Sequence, residues 1–254
     1  MSKNDPELTL GVLTVNTHKG FSVFNRRFML PELREAVRDA GVDLVFLQEV
    51  LGSHEHHSRR YSNWPASPQY EFLADSIWSA YAYGRNAVYP HGHHGNAILS
   101  KFPILHYENH DVSLGKHERR GLLHCVLDLP NRHQQVHAIC VHLGLREKHR
   151  REQLHALAHL IKTQVPDDAP LVVAGDFNDW RMKGHPLLAN VGGLREVFDE
   201  AHGRPARTFP SRRPLLPLDR IYVRNVKAHG SRVLSSRPWS HLSDHAALMT
   251  EVQL

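Results

Sequence analysis

Acidic, amide and imidazole side chains recur at the ends of apolar segments in this sequence. In open α/β sheets, functional sites gather where the strands end, so residues at those positions are candidates for chemistry. Carboxylate and amide oxygens are hard ligands that suit Mg²⁺, which keeps several waters and takes one or two protein carboxylates. Glu49 and Asp244 fit that number. The segments are Val15-Asn16, Leu47-Gln48-Glu49, Gly175-Asp176-Phe177-Asn178-Asp179 and Ser243-Asp244-His245.

Each segment alone also has an ordinary structural explanation. Glu49 could cap the loop after its strand, and Asp176 with Asn178 could form a turn, because Asp and Asn favour turns through local hydrogen bonds. It is harder to explain by structure alone why several apolar strands all end in an acid or an amide. The combination therefore favours one shared site.

The elements that would position these residues begin with an α/β layer. We expect a strand over 8–15, a helix over 29–40 whose apolar residues share one face, and a short apolar strand over 42–47. Gly41 stands where a C-terminal helix cap belongs. Strand, helix and apolar strand in this order are typical of α/β proteins.

From 97 to 143 the pattern changes to successive apolar segments separated by turn-forming residues, which predicts mostly antiparallel strands. A helix is expected over 146–165, because apolar residues repeat there at helical spacing. Further strands are expected over 171–174, 219–223, 227–234 and 246–252. The plan predicts two packed mixed sheets with helices outside, in a single domain over 1–254.

A set of motifs, in their order along the chain, resembles those of the endonuclease/exonuclease/phosphatase superfamily. This superfamily includes pancreatic-type deoxyribonucleases, abasic-site endonucleases, neutral sphingomyelinases and inositol polyphosphate phosphatases. LQE or SDH alone is a weak signal, but the ordered set that includes GDFN is strong. The motifs are Asn16, LQE at 47–49, GNAILSK at 95–101, HL at 142–143, GDFN at 175–178, LDRIYV at 218–223 and SDH at 243–245.

The resemblance implies a four-layered α/β sandwich, with the site at one edge of two mixed β-sheets that pack face to face. It also implies a Mg²⁺ site, with Mn²⁺ as a substitute. Glu49 would be the principal ligand, and Asn16 and Asp244 would support the metal or its waters.

The same resemblance implies a set of catalytic residues. His245 would contact the scissile phosphate or act as general base, and Asp219 would orient it. Asp176 and Asn178 would hold the attacking water and a phosphate oxygen. A histidine suits proton transfer from water because its ordinary pKa of about 6.5 lies near neutral pH. The sequence leaves open whether His245 or Asp176 accepts the proton.

His142 helps to narrow the branch of the superfamily. It stands in VHLGL, where deoxyribonucleases and sphingomyelinases carry a histidine suited to protonating the leaving oxygen, whereas abasic-site endonucleases usually carry a tyrosine. The resemblance therefore points away from abasic-site repair. A histidine at a strand end that bonds to the backbone is the structural alternative.

Substrate contacts are expected from residues on neighbouring strands. Arg119 and Arg120 precede an apolar strand and could clamp phosphate oxygens with their planar forks, or could be ordinary surface charge. Asn96 could approach the substrate or could be a turn residue after Gly95.

The chain holds 22 histidines, with local clusters at two places. Imidazole clusters can bind Zn²⁺, but a structural zinc site needs fixed geometry and a closed second shell. Contact with an anionic substrate at the rim of the site is the alternative. The clusters are His54, His56 and His57, and His91, His93 and His94.

Bulk properties constrain the partners and the compartment. The net charge of +5 and a pI near 9.3 mildly favour an anionic partner. Cys125 and Cys140 lie in apolar segments and are expected to be buried thiols, which fits a reducing compartment. The sequence shows no signal peptide and no apolar run long enough to span a bilayer, so a cytoplasmic protein is expected.

These features support a Mg²⁺-dependent phosphodiesterase, with nucleic acid as the first expected substrate. A phospholipid phosphodiesterase of the sphingomyelinase kind would use the same catalytic residues and would need an apolar rim, for which Tyr61 to Trp64, Trp78 to Tyr83 and Trp239 are candidates unless they pack in the core. A phosphate-binding module without catalysis would normally have lost Asp176 or His245.

Overall fold

The computed structural model describes residues 8–75, 77–115, 118–130 and 135–254, without the side chains of 191 and 192. The expectation that no signal peptide is present concerns residues 1–7, which lie outside the described residues. Short 3-10 turns cover His18–Gly20, Val23–Asn25 and Trp239–His241. The longer elements are β1 (Thr9–Asn16), α1 (Leu30–Asp39), β2 (Leu44–His54), α2 (Glu55–Arg60), α3 (Gln69–Ala74), β3 (Ala80–Tyr89), β4 (Gly92–Ser100), β5 (Ile104–Asp111), β6 (Gly121–Leu127), β7 (Val136–His142), α4 (Glu147–Gln164), β8 (Leu171–Asp176), α5 (His185–Gly192), β9 (Arg195–Glu196), α6 (Val197–His202), β10 (Asp219–Arg224), β11 (Lys227–Leu234) and β12 (Ala247–Gln253).

The strands form two six-stranded mixed sheets. The first has the order β11-β12-β1-β2-β4-β3, and the second has the order β5-β6-β7-β8-β10-β9. Each sheet contains one parallel pair near its centre, β1 with β2 and β7 with β8, and the other described pairings are antiparallel. The carboxyl ends of both parallel pairs carry residues that the sequence analysis selected.

Three apolar clusters define the layers. One cluster joins residues of both sheets, such as Phe46 and Ile98 from the first and Cys140 and Ile221 from the second. A second cluster packs α1 and α3 on the outer face of the first sheet. The third packs α4 on the outer face of the second sheet. The predicted four-layered sandwich of two mixed sheets with helices outside is confirmed.

Most of the predicted elements are present within one or two residues of their expected ends. The main difference concerns the second strand, which was expected to end at Leu47 but continues as β2 to His54. Glu49 therefore lies inside a strand rather than after it, at a shift of register between Leu47 and Val50. The sequence analysis also missed β3, because its alternating pattern is interrupted by polar residues and by Gly84.

Both cysteines are buried free thiols, as expected. Burial raises the pKa of the Cys140 thiol to about 12, so it is inert at neutral pH. Across the described part of the chain, no helix has the length and apolar character needed to cross a bilayer.

Candidate active site

Three polar residues form a row across one edge of the second sheet. His142 at the end of β7 pairs in register with Asp176 at the end of β8, and Asp176 pairs with Asp219 at the start of β10. All three side chains are buried, and Nε2 of His142 lies 3.7 Å from Oδ2 of Asp176. Gly175 allows the strands to approach here, since a Cβ on it would lie 2.0 Å from the carbonyl oxygen of Val141.

The first sheet contributes two residues to the same point. Nδ1 of His245, just before β12, lies 2.8 Å from Oδ2 of Asp219, and its Nε2 lies 4.0 Å from Oδ2 of Asp176. Asn16 at the end of β1 donates from Nδ2 to the same Asp176 oxygen at 3.2 Å. Strand ends from both sheets therefore converge on Asp176.

The charges at this point are strongly coupled. Burial opposes protonation of His245, but the surrounding carboxylates, chiefly Asp219, outweigh it and raise the pKa of His245 to about 10. Burial raises the pKa of Asp176 to about 7, although the His245 cation opposes the shift. Both pKa shifts have the same cause, because the buried imidazole of His245 lies between the buried carboxylates of Asp176 and Asp219.

Asn178 is held in a turn directly after β8. Its backbone N–H donates to Oδ1 of Asp176 at 2.9 Å, and its Nδ2 donates to the carbonyl oxygen of Leu143 at 3.0 Å. Its φ of 52° lies in the left-handed region, which Asn tolerates better than most residues. These bonds leave its side-chain oxygen as the group that can accept a hydrogen bond from a ligand.

Glu49 also has a left-handed backbone, with a φ of 56° at the register shift in β2. Such a conformation costs about 1–3 kcal/mol in a residue other than Gly and is concentrated at functional sites. Thr17 fixes this backbone by donating from Oγ1 to the carbonyl oxygens of Gln48 and Glu49. The Glu49 carboxylate is partly exposed and lies 4.0 Å from Nζ of Lys19.

Asp244 lies on the other side of Asn16. Its Oδ1 is 3.3 Å from Nδ1 of His18, and the neighbouring Ser243 donates from Oγ to the carbonyl oxygen of Asn16 at 2.6 Å. The predicted metal ligands Asn16, Glu49 and Asp244 therefore lie at the same edge of the first sheet, linked by the segment that follows β1.

The donor set fits a divalent cation. Within the described ranges, Asp176, Asp219 and His245 are the one group of three His, Cys, Asp or Glu residues whose ligand atoms all lie within 4.8 Å. Oδ1 of Asp219 is buried without a hydrogen-bond partner. The carboxylate oxygens of this group are ligands suited to Mg²⁺ or Mn²⁺, whereas the imidazole is not a preferred ligand of these ions. Glu49 and Asp244 do not belong to this group. Asn16 therefore lies between two sets of oxygen ligands, the buried carboxylates on one side and Glu49 with Asp244 on the other.

His142 is in a different electrostatic state from His245. Burial, reinforced by the positive charge of Arg120, holds the pKa of His142 well below its ordinary value. The free site therefore contains a neutral imidazole next to Asp176. Bound phosphate would bring negative charge that opposes this shift.

Of the three residues predicted to contact substrate, Arg120 and Asn96 are bonded within the protein and Arg119 is exposed. Arg120 lies next to the site, but its guanidinium donates to the carbonyl oxygens of Leu143 and Arg119 and to the Glu118 carboxylate. Arg119 is exposed. Asn96 is buried and donates to two carbonyl oxygens of the second sheet, while its own Oδ1 lacks a partner.

The histidine clusters lie beside Glu49 but do not form a metal site in the described residues. The rings of His54 and His57 stack with centroids 3.8 Å apart, and those of His56 and His91 meet edge to face at 4.1 Å. Burial lowers the pKa of His57 to about 4. The stacked rings line a groove of about 350 Å³ that reaches Lys19, Arg60 and Tyr89 at the rim of the site.

The aromatic residues considered for an apolar rim are mostly packed in the core. Trp78 is 1% exposed, and Trp64 stacks on Phe28 with ring centroids 4.7 Å apart. Trp239 packs against the cluster under α1. Buried packing, the structural alternative, holds for Trp78, whereas Trp64 and Trp239 are half-buried and Tyr81 is 42% exposed.

Sequence reasoning missed His18 and Lys19. Both follow β1 in the segment NTHKG, where His18 approaches Asp244 and Lys19 approaches Glu49. Both have positive φ angles of 46° and 57°. Their position directly after Asn16 was the available signal, since the turn after a site-forming strand lies over the same edge.

This fold and site define a member of a known family of phosphoric ester hydrolases. The chain belongs to the endonuclease/exonuclease/phosphatase family, whose model matches residues 13–245. Its sequence is 56% identical to the uncharacterized protein YbhP of Escherichia coli strain K12, over 100% of both chains. Its fold resembles D. rerio TDP2 complexed with a single-strand DNA product, with a TM-score of 0.71, 20% identity and coverage of 96% and 98% of the two chains. It also resembles a mannosyl-6-phosphatase of Bacteroides thetaiotaomicron, with a TM-score of 0.73, 17% identity and coverage of 96% and 99%.

Proposed function

We propose that this protein is a Mg²⁺-dependent phosphodiesterase. The observation that carries the proposal is the convergence of Asp176, Asp219 and His245, from the ends of three strands in two sheets, within 4.8 Å of one another. Burial of such a charged group is costly unless its members are paired, and sites of this kind are typically functional.

We infer that Glu49 is the principal ligand of the metal, with Asn16 and Asp244 in support. A bound divalent cation would offset the negative charge that accumulates on the phosphate oxygens. Glu49 is suited to this role by its partly exposed carboxylate on a strained backbone, since a ligand must face both the cation and the substrate. Family membership supports a divalent metal as well.

The buried residues would handle the water and the phosphate. Asp219 holds Nδ1 of His245, so Nε2 faces Asp176 and the space beside it. An attacking water in that space would contact Asp176 and Asn178, and its proton would pass to Asp176, or to His245 when that ring is neutral. His142, once bound phosphate has raised its pKa and the ring is protonated, would donate to the leaving oxygen.

We infer nucleic acid as the first substrate to test. The net charge of +5 favours a polyanion. A phospholipid is the second candidate, and it is favoured by the exposed apolar residues Phe24 and Leu215 in two basic loops, the second of which bonds to Asp244 through Ser211.

A panel assay tests the proposed function. Purified protein with Mg²⁺ is incubated with plasmid DNA, RNA, a phospholipid and a phosphomonoester, with a chelator and His245→Ala as controls. Metal-dependent cleavage of a phosphodiester that His245→Ala abolishes is the expected result. Cleavage of lipid but of neither polynucleotide would replace the first substrate by the second.

Two other outcomes would overturn the proposal itself. Hydrolysis of the phosphomonoester alone would make the protein a phosphatase. No turnover of any substrate, by protein that binds Mg²⁺ and is folded, would favour a phosphate-binding module.

A further inference from the structure

Two loops beside the candidate site have the same construction. The first spans 21–28 and is closed by a bridge between Phe21 and Phe28, and the second spans 209–216 and is closed by a bridge between Phe209 and Leu216. Each loop carries a pair of adjacent arginines, Arg26 and Arg27 in the first and Arg212 and Arg213 in the second. All four arginines are exposed.

The loops lie side by side and border the site. Both line one groove of about 710 Å³, whose apolar part includes Val23, Met29 and Pro210. The second loop is tied to the site because the Ser211 N–H donates to the carbonyl oxygen of Asp244 at 2.7 Å. A ligand held by the groove would therefore lie next to the proposed metal ligands.

The four arginines of these loops have no carboxylate partner among the described residues, as is also true of other exposed arginines such as Arg151 and Arg204. None of the four makes an ion pair with another described residue, and Arg26 instead lies over the ring of Phe24, with 5.5 Å from its guanidinium carbon to the ring centroid. This uncompensated charge is complementary to a polyanionic surface.

The same loops expose apolar side chains at their tips. Phe24 is 79% exposed on a backbone with a φ of 61°, and Leu215 is 64% exposed. A bulky residue in the left-handed region is a genuine outlier, and here it holds the phenyl ring in solvent. Basic residues next to protruding apolar ones are typical of segments that lie in the interface of an anionic membrane.

A polynucleotide would also meet the arginines, and Phe24 could stack on a base. Leu215 and Leu216 are exposed and have no flat ring to stack with, whereas aliphatic side chains gain free energy when they enter the lipid interface. As the ligand of this groove, though not as the substrate of the site, a lipid surface therefore fits the observed mixture better than a polynucleotide.

We propose that loops 21–28 and 209–216 form a docking surface for an anionic phospholipid bilayer. A role of this surface in bringing substrate to the site rests on the proposed function. Binding of the bilayer itself requires no catalytic turnover.

Co-sedimentation with vesicles tests this docking surface. Vesicles of phosphatidylglycerol and phosphatidylcholine in equal parts are compared with vesicles of phosphatidylcholine alone, in the presence of chelator. Binding to the anionic vesicles, weakened by added salt, is expected. Arg26→Gln/Arg27→Gln should weaken it about 25-fold, since each basic residue near an anionic surface contributes about fivefold. Phe24→Ser should weaken it about tenfold or more through lost apolar burial.

Matched variants exclude effects of net charge and of general stickiness. Lys162→Gln/Lys227→Gln removes the same charge from exposed positions at the opposite end of the strands, and Leu105→Ser removes a side chain that is 52% exposed in β5. Both should bind anionic vesicles like the parent protein. Equal loss of binding in these controls would overturn the proposal.

A single-stranded oligonucleotide serves as the rival ligand in an anisotropy titration. If the Arg26→Gln/Arg27→Gln variant loses binding to the oligonucleotide while the parent protein binds no vesicles, the groove is a nucleic-acid site and the proposal is wrong. Glu49→Gln separates the two proposals, since it should bind vesicles normally. Vesicle binding by a parent protein that hydrolyses nothing would contradict the proposed function alone.

Discussion

His245 and Asp219 form a 2.8 Å contact that joins the two sheets of the sandwich. Asp219 begins β10 in the second sheet, and His245 precedes β12 in the first. Both side chains are buried, so the carboxylate that accepts from Nδ1 also fixes the orientation of the ring. The position of His245 in the site therefore depends on how the two sheets pack against each other.

Replacement of Asp219 should leave the fold intact but remove the carboxylate that orients the His245 ring. We expect Asp219→Asn to lower kcat by about two to four orders of magnitude, because the amide no longer stabilises the required tautomer and the charged imidazole. The pKa of His245, followed by NMR, should fall from about 10 towards its ordinary value. Asp39→Asn, at an exposed position in α1, is the matched control. Unchanged kcat in Asp219→Asn would exclude a positioning role for this carboxylate.

Replacement of Glu49 should change the dependence of the activity on the Mg²⁺ concentration. Glu49→Gln keeps the size of the side chain but removes its charge, so the Mg²⁺ concentration for half-maximal activity should rise by about 10- to 100-fold. A Mg²⁺ titration of activity, with calorimetry of metal binding, measures this. Glu55→Gln, on the exposed start of α2, should leave the titration unchanged. The same Mg²⁺ dependence in Glu49→Gln and the parent would remove Glu49 from the metal site.

His142 can be tested by the dependence of the reaction on its leaving group. If His142 protonates the leaving oxygen, His142→Ala should slow hydrolysis of an alkyl phosphodiester by about 100-fold or more. A nitrophenyl diester should be affected far less, because its leaving oxygen needs no proton. Kinetics with both substrates decide the matter. Equal losses would instead give His142 a positioning role through Asp176, which lies 3.7 Å away.

The sequence predicted the layers and the strand ends because apolar periodicity and strand termini are local properties. Leu154, Leu157 and Ile161 on α4 are buried as their spacing indicates. The motif order also indicated which segments share an edge. The sequence could not predict distances such as that between Asp219 and His245, because these depend on how the two sheets pack.

Backbone irregularities explain most of the errors. Glu49 was placed after a strand because apolar periodicity stops at Leu47, whereas a register shift lets β2 continue past it. Phe24 carried no signal of exposure, because an aromatic residue in a loop is more often buried. Only its positive φ and the closed loop around it show that the ring faces solvent.

The last prediction concerns two buried histidines remote from the proposed metal ligands. Nε2 of His124 in β6 lies 2.9 Å from Nδ1 of His137 in β7, and Oε1 of Gln164 accepts from Nδ1 of His124 at 3.4 Å. Burial, followed by the charge of His137, lowers the pKa of His124 to about 4. Burial also lowers the pKa of His137. Both rings are therefore neutral in the folded protein, where one donates and the other accepts.

This pair should make the fold sensitive to acid. The unfolded chain takes up a proton on each histidine near pH 6.5, while the folded protein resists protonation of His124 down to about pH 4. Between these values the unfolded state binds more protons, so the free energy of unfolding falls as the pH decreases. Above pH 6.5 the pair has no such effect.

His124→Gln should flatten this dependence, because glutamine does not titrate and can still bond to His137. Between pH 7 and pH 4 the variant should lose about 2 kcal/mol less free energy of unfolding than the parent. Urea titrations at several pH values measure the slope. His159→Gln, on the exposed face of α4, should keep the parental slope because its ring is solvated in both states. If His124→Gln and the parent lose stability in parallel, the acid sensitivity arises elsewhere in the chain.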